Sequence, residues 1–169
     1  MVIILLANGF EEIEALAPVD IMLRSNIPVK TVAIGNKMVM GAHGIKVEAD
    51  MLAEDVCEEE IDMLVLPGGM PGTTNLDESP YSQKFIDATI KNGGHIAAIC
   101  AAPSILGKRG LLRGKRAISF PGFENTLDGA TVCLDMSVVT DGNFTTAKDF
   151  RAAYEFGDVL TEIYKNLKG

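Results

Sequence analysis

Residues 97–106 read AAICAAPSIL, a run in which small apolar residues pass into a proline-led segment with a lone cysteine at the junction. The residues before the cysteine, HIAAI (95–99), are continuously apolar rather than alternating, as in a parallel strand covered on both faces. Pro103 suits the first turn of a helix, where no backbone N–H is needed. The spacing therefore predicts a strand to Ile99, a sharp turn at Cys100 and a helix over 101–109. Working outward, VIILLA (2–7), VKTVAI (29–34), DMLVLP (62–67), AIS (117–119) and SVVTDGNFTTA (137–147) read as strands, the last a hairpin around Asp141-Gly142. Helical patterns fit 11–25, 80–92 and 149–167. Strand alternating with helix means a doubly wound, mostly parallel α/β sheet. With no repeat, low-complexity tract or linker, residues 1–169 read as one domain. Ligands of such sheets bind at the carboxyl ends of the strands, which directs attention to NGFEEIE, PGGMPG and the turn at Cys100.

Composition narrows the partners. The chain is 47% hydrophobic, and its 15 basic and 23 acidic residues leave a net charge of −8. That surface repels phosphate backbones and anionic lipid, so neither nucleic acid nor a membrane is an expected partner. VIILLA has no basic residue before it and soon meets Glu11 and Glu12, the wrong flanks for an export signal. No run reaches the roughly 18 apolar residues of a membrane span, and a cytoplasmic location is the expectation. The three cysteines, Cys57, Cys100 and Cys133, lie far apart with no CxxC pair and read as free thiols. No metal constellation is apparent. GNKMVMGAHG (35–44) lacks the strand-to-helix context of a phosphate loop, and nothing calls for a cofactor.

Cys100 stands where a strand meets a helix N-terminus, a placement that lowers a thiol pKa from about 8.5 toward roughly 3.5–7.5. The alternative is a small buried hydrophobe. Cys57 sits among carboxylates that oppose a thiolate, and Cys133 lies within a strand pattern, so both read as structural. In GFEEIE, Glu11 and Glu12 suit the first turn of a helix. Glu14, flanked by Ile13, Ala15 and Leu16, is an acid or base candidate, or simply a partly solvated carboxylate. Gly68 and Gly69 in LPGGMPG offer backbone amides that would stabilise an oxyanion, or form a plain turn. His43, in GAHG, reads as part of an exposed hairpin or loop. His95 begins its strand at the end opposite Cys100, so no Cys–His dyad is expected. Along 11–25 the apolar residues Ile13, Leu16, Val19, Ile21, Met22 and Leu23 exceed the single stripe a sheet would cover, which suggests a partner surface. Pro18 is expected to bend that helix.

Taken together, GFEEIE, LPGGMPG and AAICAAP, with TTAKDFRAAYEFG (145–157) near the end, make the chain similar over its whole length to the ThiJ/PfpI superfamily. It most resembles the branch of bacterial YajL and the Parkinsonism-associated deglycase. The resemblance implies a flavodoxin-like three-layer α/β sandwich, a homodimer, and a nucleophile elbow at Cys100 with the Glu14 carboxyl hydrogen-bonded to the sulfur. It also implies backbone amides of Gly69 and Ala101 around the reactive group, with Gly68 adjacent. Ala101 stands where the protease-like branch has histidine, which disfavours peptidase activity. Phe120 precedes Pro121 where the human-like branch has histidine, leaving Glu14 as the only obvious proton carrier. Lys148 is the nearest match to the family's late cationic group. The implied function is a cysteine-dependent glyoxalase or deglycase acting on small carbonyls such as methylglyoxal or its adducts. The alternative is an oxidation-responsive protein whose Cys100 forms sulfenic or sulfinic acid.

Overall fold

A computed structural model describes residues 1–169. In chain order the strands are β1 (Val2–Leu6), β2 (Val29–Ala33), β3 (Met38–Met40), β4 (Lys46–Glu48), β5 (Met51–Leu52), β6 (Met63–Leu66), β7 (His95–Ile99), β8 (Arg116–Ala117), β9 (Thr131–Val132), β10 (Val138–Asp141) and β11 (Phe144–Ala147). The helices are α1 (Glu12–Arg24), α2 (Gly72–Glu78), α3 (Pro80–Lys91), α4 (Pro103–Lys108) and α5 (Ala153–Lys168). Seven strands form one sheet in the order β10-β11-β7-β6-β1-β2-β5, parallel throughout except for β10 against β11.

The continuously apolar strands lie in the middle of this sheet because both of their faces are covered. Along β1, Val2, Ile4 and Leu6 point into a layer with Met22 of α1 and Phe156 and Leu160 of α5. Ile3 and Leu5 point the other way, toward Leu76 of α2, Phe85 and Ile86 of α3 and Ile105 and Leu106 of α4. The result is the expected flavodoxin-like sandwich of helix, sheet and helix layers. Each fully buried side chain of this size contributes roughly 1.5–3 kcal/mol relative to exposure, so the two layers fix the sheet firmly.

Pro18 lies within α1 without ending it. It offers no N–H to the carbonyl one turn earlier, that of Glu14. A Cβ at Gly157 would lie 2.7 Å from Ile21 Cδ1 and 3.2 Å from Pro18 Cα, so the glycine lets α5 close on α1 at the proline.

Three expected elements differ from the structure, and two elements were not expected. The strand at 117–119 shrinks to β8 and leaves the main sheet to pair with β9. The helix after Cys100 spans only Pro103–Lys108, and the last helix begins with a 3-10 turn over Phe150–Ala152. Helix α2, GTTNLDE, was not anticipated because glycine and threonine are weak helix formers; Thr73 N–H, bonded to Gly69 O at 2.8 Å, anchors its start. The β3–β4 hairpin pairs Met38–Met40 with Lys46–Glu48 in segments too short to show a period.

His95 is buried at the amino end of β7, and its Nε2 meets Thr145 Oγ1 at 2.8 Å. Burial pushes its pKa down to about 4. The unfolded chain therefore takes up this proton first as pH falls below about 6.5. The resulting stability is intact above that value and is lost as pH falls toward 4, by up to about 3 kcal/mol. We expect His95→Gln to flatten the fall in the urea midpoint between pH 7 and 4.5; an unchanged slope would contradict a neutral buried imidazole.

Candidate active site

Parallel pairing brings the carboxyl ends of β1, β6 and β7 side by side, with Ile4 opposite Val65 and Val65 opposite Ala97. The loops that follow these three strands carry the motifs of the sequence. At the end of β7 the backbone of Cys100 adopts φ 66°, the left-handed region that an L-residue enters only at a cost of about 1–3 kcal/mol. Two hydrogen bonds hold it there: Cys100 N–H donates to Ala147 O at 2.9 Å, and Phe120 N–H donates to Cys100 O at 2.7 Å. The strand end is thus turned sharply and the thiol is presented toward the β1 and β6 loops.

Glu14 reaches the thiol from α1. The helix is capped by Glu11, whose Oε2 accepts from Glu14 N–H at 2.8 Å. Gly68 N–H donates to Glu14 Oε2 at 2.9 Å. Oε1 is buried with no hydrogen-bond partner, and the carboxyl lies beside the Cys100 thiol. Gly68 is wedged between the two groups: a Cβ there would stand 2.5 Å from Glu14 Oε2 and 2.6 Å from Cys100 Cβ. The backbone amides of Ala101 and Gly69 lie near the sulfur and favour its ionised form.

Burial pushes the Glu14 carboxyl up to about 7, reinforced by the charges of Glu11 and Asp149 and opposed by its bonds to the thiol and to Gly68 N–H. Burial, and then the Glu14 charge, push the thiol up to about 12 against the pull of the Ala101 and Gly69 amides. This reverses the lowering expected for a helix N-terminus. The helix after Cys100 has only six residues and starts three positions on, while a carboxyl group shares the thiol's dry surroundings. Two anions so placed repel strongly, so the pair titrates as a unit, losing its first proton near 7 and holding the second far above neutrality. That proton resides on sulfur beside a carboxylate, or on the carboxyl beside a thiolate.

The pair opens into a cavity of about 620 Å³ lined by Glu11, Glu12, Ile13, Glu14, His43, Ile45, Gly69, Cys100, Phe120 and Phe150. Of the residues named from sequence, the structure brings Cys100, Glu14, Gly69, Ala101 and Phe120 together. It does not bring in Lys148, whose Nζ donates to Leu134 O at 3.3 Å, nor Pro121, which is exposed outside the lining. Gly68 is beside the site, but its amide is engaged by Glu14 and is not free for an oxyanion. Cys57 is exposed and its S–H donates to Glu59 Oε2 at 3.2 Å, a contact that pushes its pKa up.

His43, Ile45 and Phe150 were missed. His43 sits in the turn of the β3–β4 hairpin, and Glu12 ties that turn to α1. Glu12 Oε1 accepts from His43 N–H at 2.7 Å, and Glu12 Oε2 meets the His43 ring Nδ1 at 2.8 Å. GAHG between two short β-like segments was the available signal for a hairpin, but nothing local shows where a hairpin folds back. Glu11 and Glu12 thus converge on His43, and both Glu12 carboxylate oxygens are taken up by the His43 amide and ring. No helix is long and apolar enough to cross a membrane.

The DJ-1/PfpI family pattern matches residues 1–163. Deglycase PH1704 of Pyrococcus horikoshii is 34% identical over 149 residues, 87% of this chain and 89% of that one. The glutathione-independent glyoxalase DJR-1.2 of Caenorhabditis elegans is 29% identical over 160 residues, 95% of this chain and 86% of that one. Protein DJ-1 homolog B of Arabidopsis thaliana is 33% identical over 163 residues, and there this chain spans 37% of the relative's length. The structure of oxidized DJ-1 from Toxoplasma gondii superposes with a TM-score of 0.91 at 30% identity, covering 99% of this chain and 91% of that one.

A carboxyl group whose pKa is raised by folding contributes stability below its unfolded value, near 4.5, and loses it as pH rises through about 7. Glu14→Gln removes that loss. Its stability relative to the native chain is expected to improve from pH 4.5 to pH 8, by up to about 3 kcal/mol in chemical denaturation; a difference independent of pH would show that Glu14 titrates normally.

Proposed function

We propose, on the premise that this chain belongs to the DJ-1/PfpI family, that it is a cysteine-dependent glyoxalase or deglycase acting on small reactive carbonyls. The observation that carries this reading is the Cys100 thiol packed against the Glu14 carboxyl, with Gly69 and Ala101 adjacent, at the floor of an open cavity. Relatives named as a deglycase and a glyoxalase support the same chemistry.

With methylglyoxal, the Cys100 thiolate adds to the aldehyde carbon and the carbonyl π pair moves to oxygen. The neutral Glu14 carboxyl gives that oxygen its proton, leaving a hemithioacetal beside a carboxylate. Sulfur is now uncharged, so ionised Glu14 is no longer opposed and serves as the base for a shift of hydrogen between the adjacent carbons. The resulting thioester is attacked by water, its oxyanion received by the amides of Gly69 and Ala101. Loss of the thiolate releases a hydroxy acid. Ile13, Ile45, Phe120 and Phe150 give the cavity apolar walls, and its volume leaves room for an adducted amine or thiol.

The buried Oε1 without a hydrogen-bond partner supports a second reading, since a protonated carboxyl there would donate to an oxidised sulfur. On α1, Ile13 is 45% and Leu23 52% exposed. These apolar residues support a homodimer in which α1 meets a second copy. Leu23→Asp is then expected to yield monomers in sedimentation, and an unchanged mass would remove α1 from the interface.

Hydroxy-acid formation from methylglyoxal, measured on folded wild type, Cys100→Ser and Glu14→Gln, tests the enzyme reading. Cys100→Ser is expected to fall to background and Glu14→Gln to lose about 10²-fold or more in kcat. An inert wild type whose Cys100 alone is oxidised by mild peroxide would replace catalysis with the second reading.

A further inference from the structure

The isomerisation proposed above moves two protons, and Glu14 accounts for only one of them. When hydrogen shifts from the first carbon of the hemithioacetal to the second, a proton must also leave the first oxygen and another reach the second oxygen. A single carboxyl busy at carbon cannot serve both oxygens at once. The remaining groups with the required acidity must line the same cavity, and its lining residues other than Glu14 and the thiol include two glutamates, Glu11 and Glu12, and His43.

We infer that His43, oriented by Glu12, is a second acid–base residue of this site, exchanging protons with the oxygens of a 1,2-dicarbonyl substrate. This rests on the glyoxalase reading and adds to it a residue from a separate element, the β3–β4 hairpin. Three observations carry it. His43 is among the residues lining the cavity into which Cys100 and Glu14 open. Its Nδ1 is held by Glu12 Oε2 at 2.8 Å, which fixes Nδ1 as the protonated nitrogen and leaves Nε2 to accept when the ring is neutral and to donate when it is charged. Glu12 is itself fixed, buried against the hairpin with the His43 amide at 2.7 Å and Gly41 so close that a Cβ would lie 2.3 Å from Oε1.

The charges facing His43 are Glu11 and Glu12, both at the start of α1, with Glu11 Oε1 at 3.8 Å from Nδ1. Their contact raises the imidazole pKa, the Glu12 hydrogen bond first, so the charged form persists to higher pH. Lys46, on the same hairpin, lines a different groove with Met38 and Met40. Lys148 is turned to Leu134 O and Arg151 is paired with Asp149, so neither serves the cavity.

The steps balance. Ionised Glu14 removes the hydrogen from the first carbon, that electron pair forms the carbon–carbon double bond, and the second carbonyl's π pair moves to its oxygen. That oxygen takes the Nε2 proton of charged His43, giving an enediol, neutral His43 and protonated Glu14. Nε2 then removes the hydroxyl proton from the first oxygen, the carbonyl forms there, and the second carbon takes its proton from Glu14. Both residues return to their starting forms and no oxidant or reductant is consumed.

The test is the pH dependence of kcat and KM for methylglyoxal in wild type, His43→Gln and Glu12→Gln, with alkylation of Cys100 by iodoacetamide as a check of fold and thiol. His43→Gln is expected to lose about 10²-fold in kcat, with KM changed far less and the alkaline limb of the profile gone. Glu12→Gln keeps a carbonyl for the backbone donors but presents an amide to Nδ1; it is expected to lower kcat and move the alkaline limb to lower pH. Wild-type turnover that His43→Gln reproduces in kcat and profile overturns the role of His43 and leaves the glyoxalase reading standing. Inert wild type overturns both.

Discussion

A thiol and a carboxyl group are buried against each other, so that the charge of either opposes ionisation of the other, and the packing around them keeps them in contact. Cys100 and Glu14 come from opposite ends of the sequence logic, one from the end of a central strand, the other from the third residue of a helix covering the sheet. Their contact exists only because β1 and β7 flank β6 in parallel, so that α1 starts above the end of β7. The left-handed backbone of Cys100 and the unpartnered Oε1 of Glu14 both cost stability. The two apolar layers on either side of the sheet supply the stability that keeps them there.

Glycine does the work of close approach at this site. At Gly68 the space a methyl group would need is taken by the Glu14 carboxyl and the Cys100 Cβ, and at Gly41 by the Glu12 carboxyl. The two glutamates are thus held from opposite sides of the helix start, Glu14 by the loop after β6 and Glu12 by the hairpin. Both carboxyls accept backbone N–H groups, but with opposite outcomes. Burial dominates at Glu14 and raises its pKa, whereas hydrogen bonds from His43 and Ile45 together outweigh burial at Glu12 and lower it. Two carboxyls two residues apart are thereby pushed in opposite directions, Glu14 toward the acid form and Glu12 toward the anion.

Much of this was legible locally. The unbroken apolar runs at 2–7 and 95–99 require cover on both faces, which only a central parallel position gives, and Pro103 after Cys100 marks the elbow. Glu14 stood out because its neighbours are apolar. Lys148 misled, since a lysine after a late strand has the right charge; its flexible stem carries the ammonium to Leu134 O instead. Gly68 was placed correctly beside the site but assigned the wrong partner, because sequence does not show which carbonyl or carboxylate an amide will meet.

What the sequence determined by itself was periodicity and chemistry: a doubly wound sheet, a cysteine at a strand-to-helix junction, and a carboxyl on an apolar helix face. These follow from side-chain pattern and backbone preference over a few residues. The tertiary structure alone decided the proton inventory and the far wall of the cavity. A pKa depends on what surrounds a group, so the thiol expected to be acidic is held back first by its burial and then by the Glu14 charge. His43 faces the cavity because a hairpin formed 31 residues after Glu12 folds back onto it, a long-range contact that no local pattern encodes.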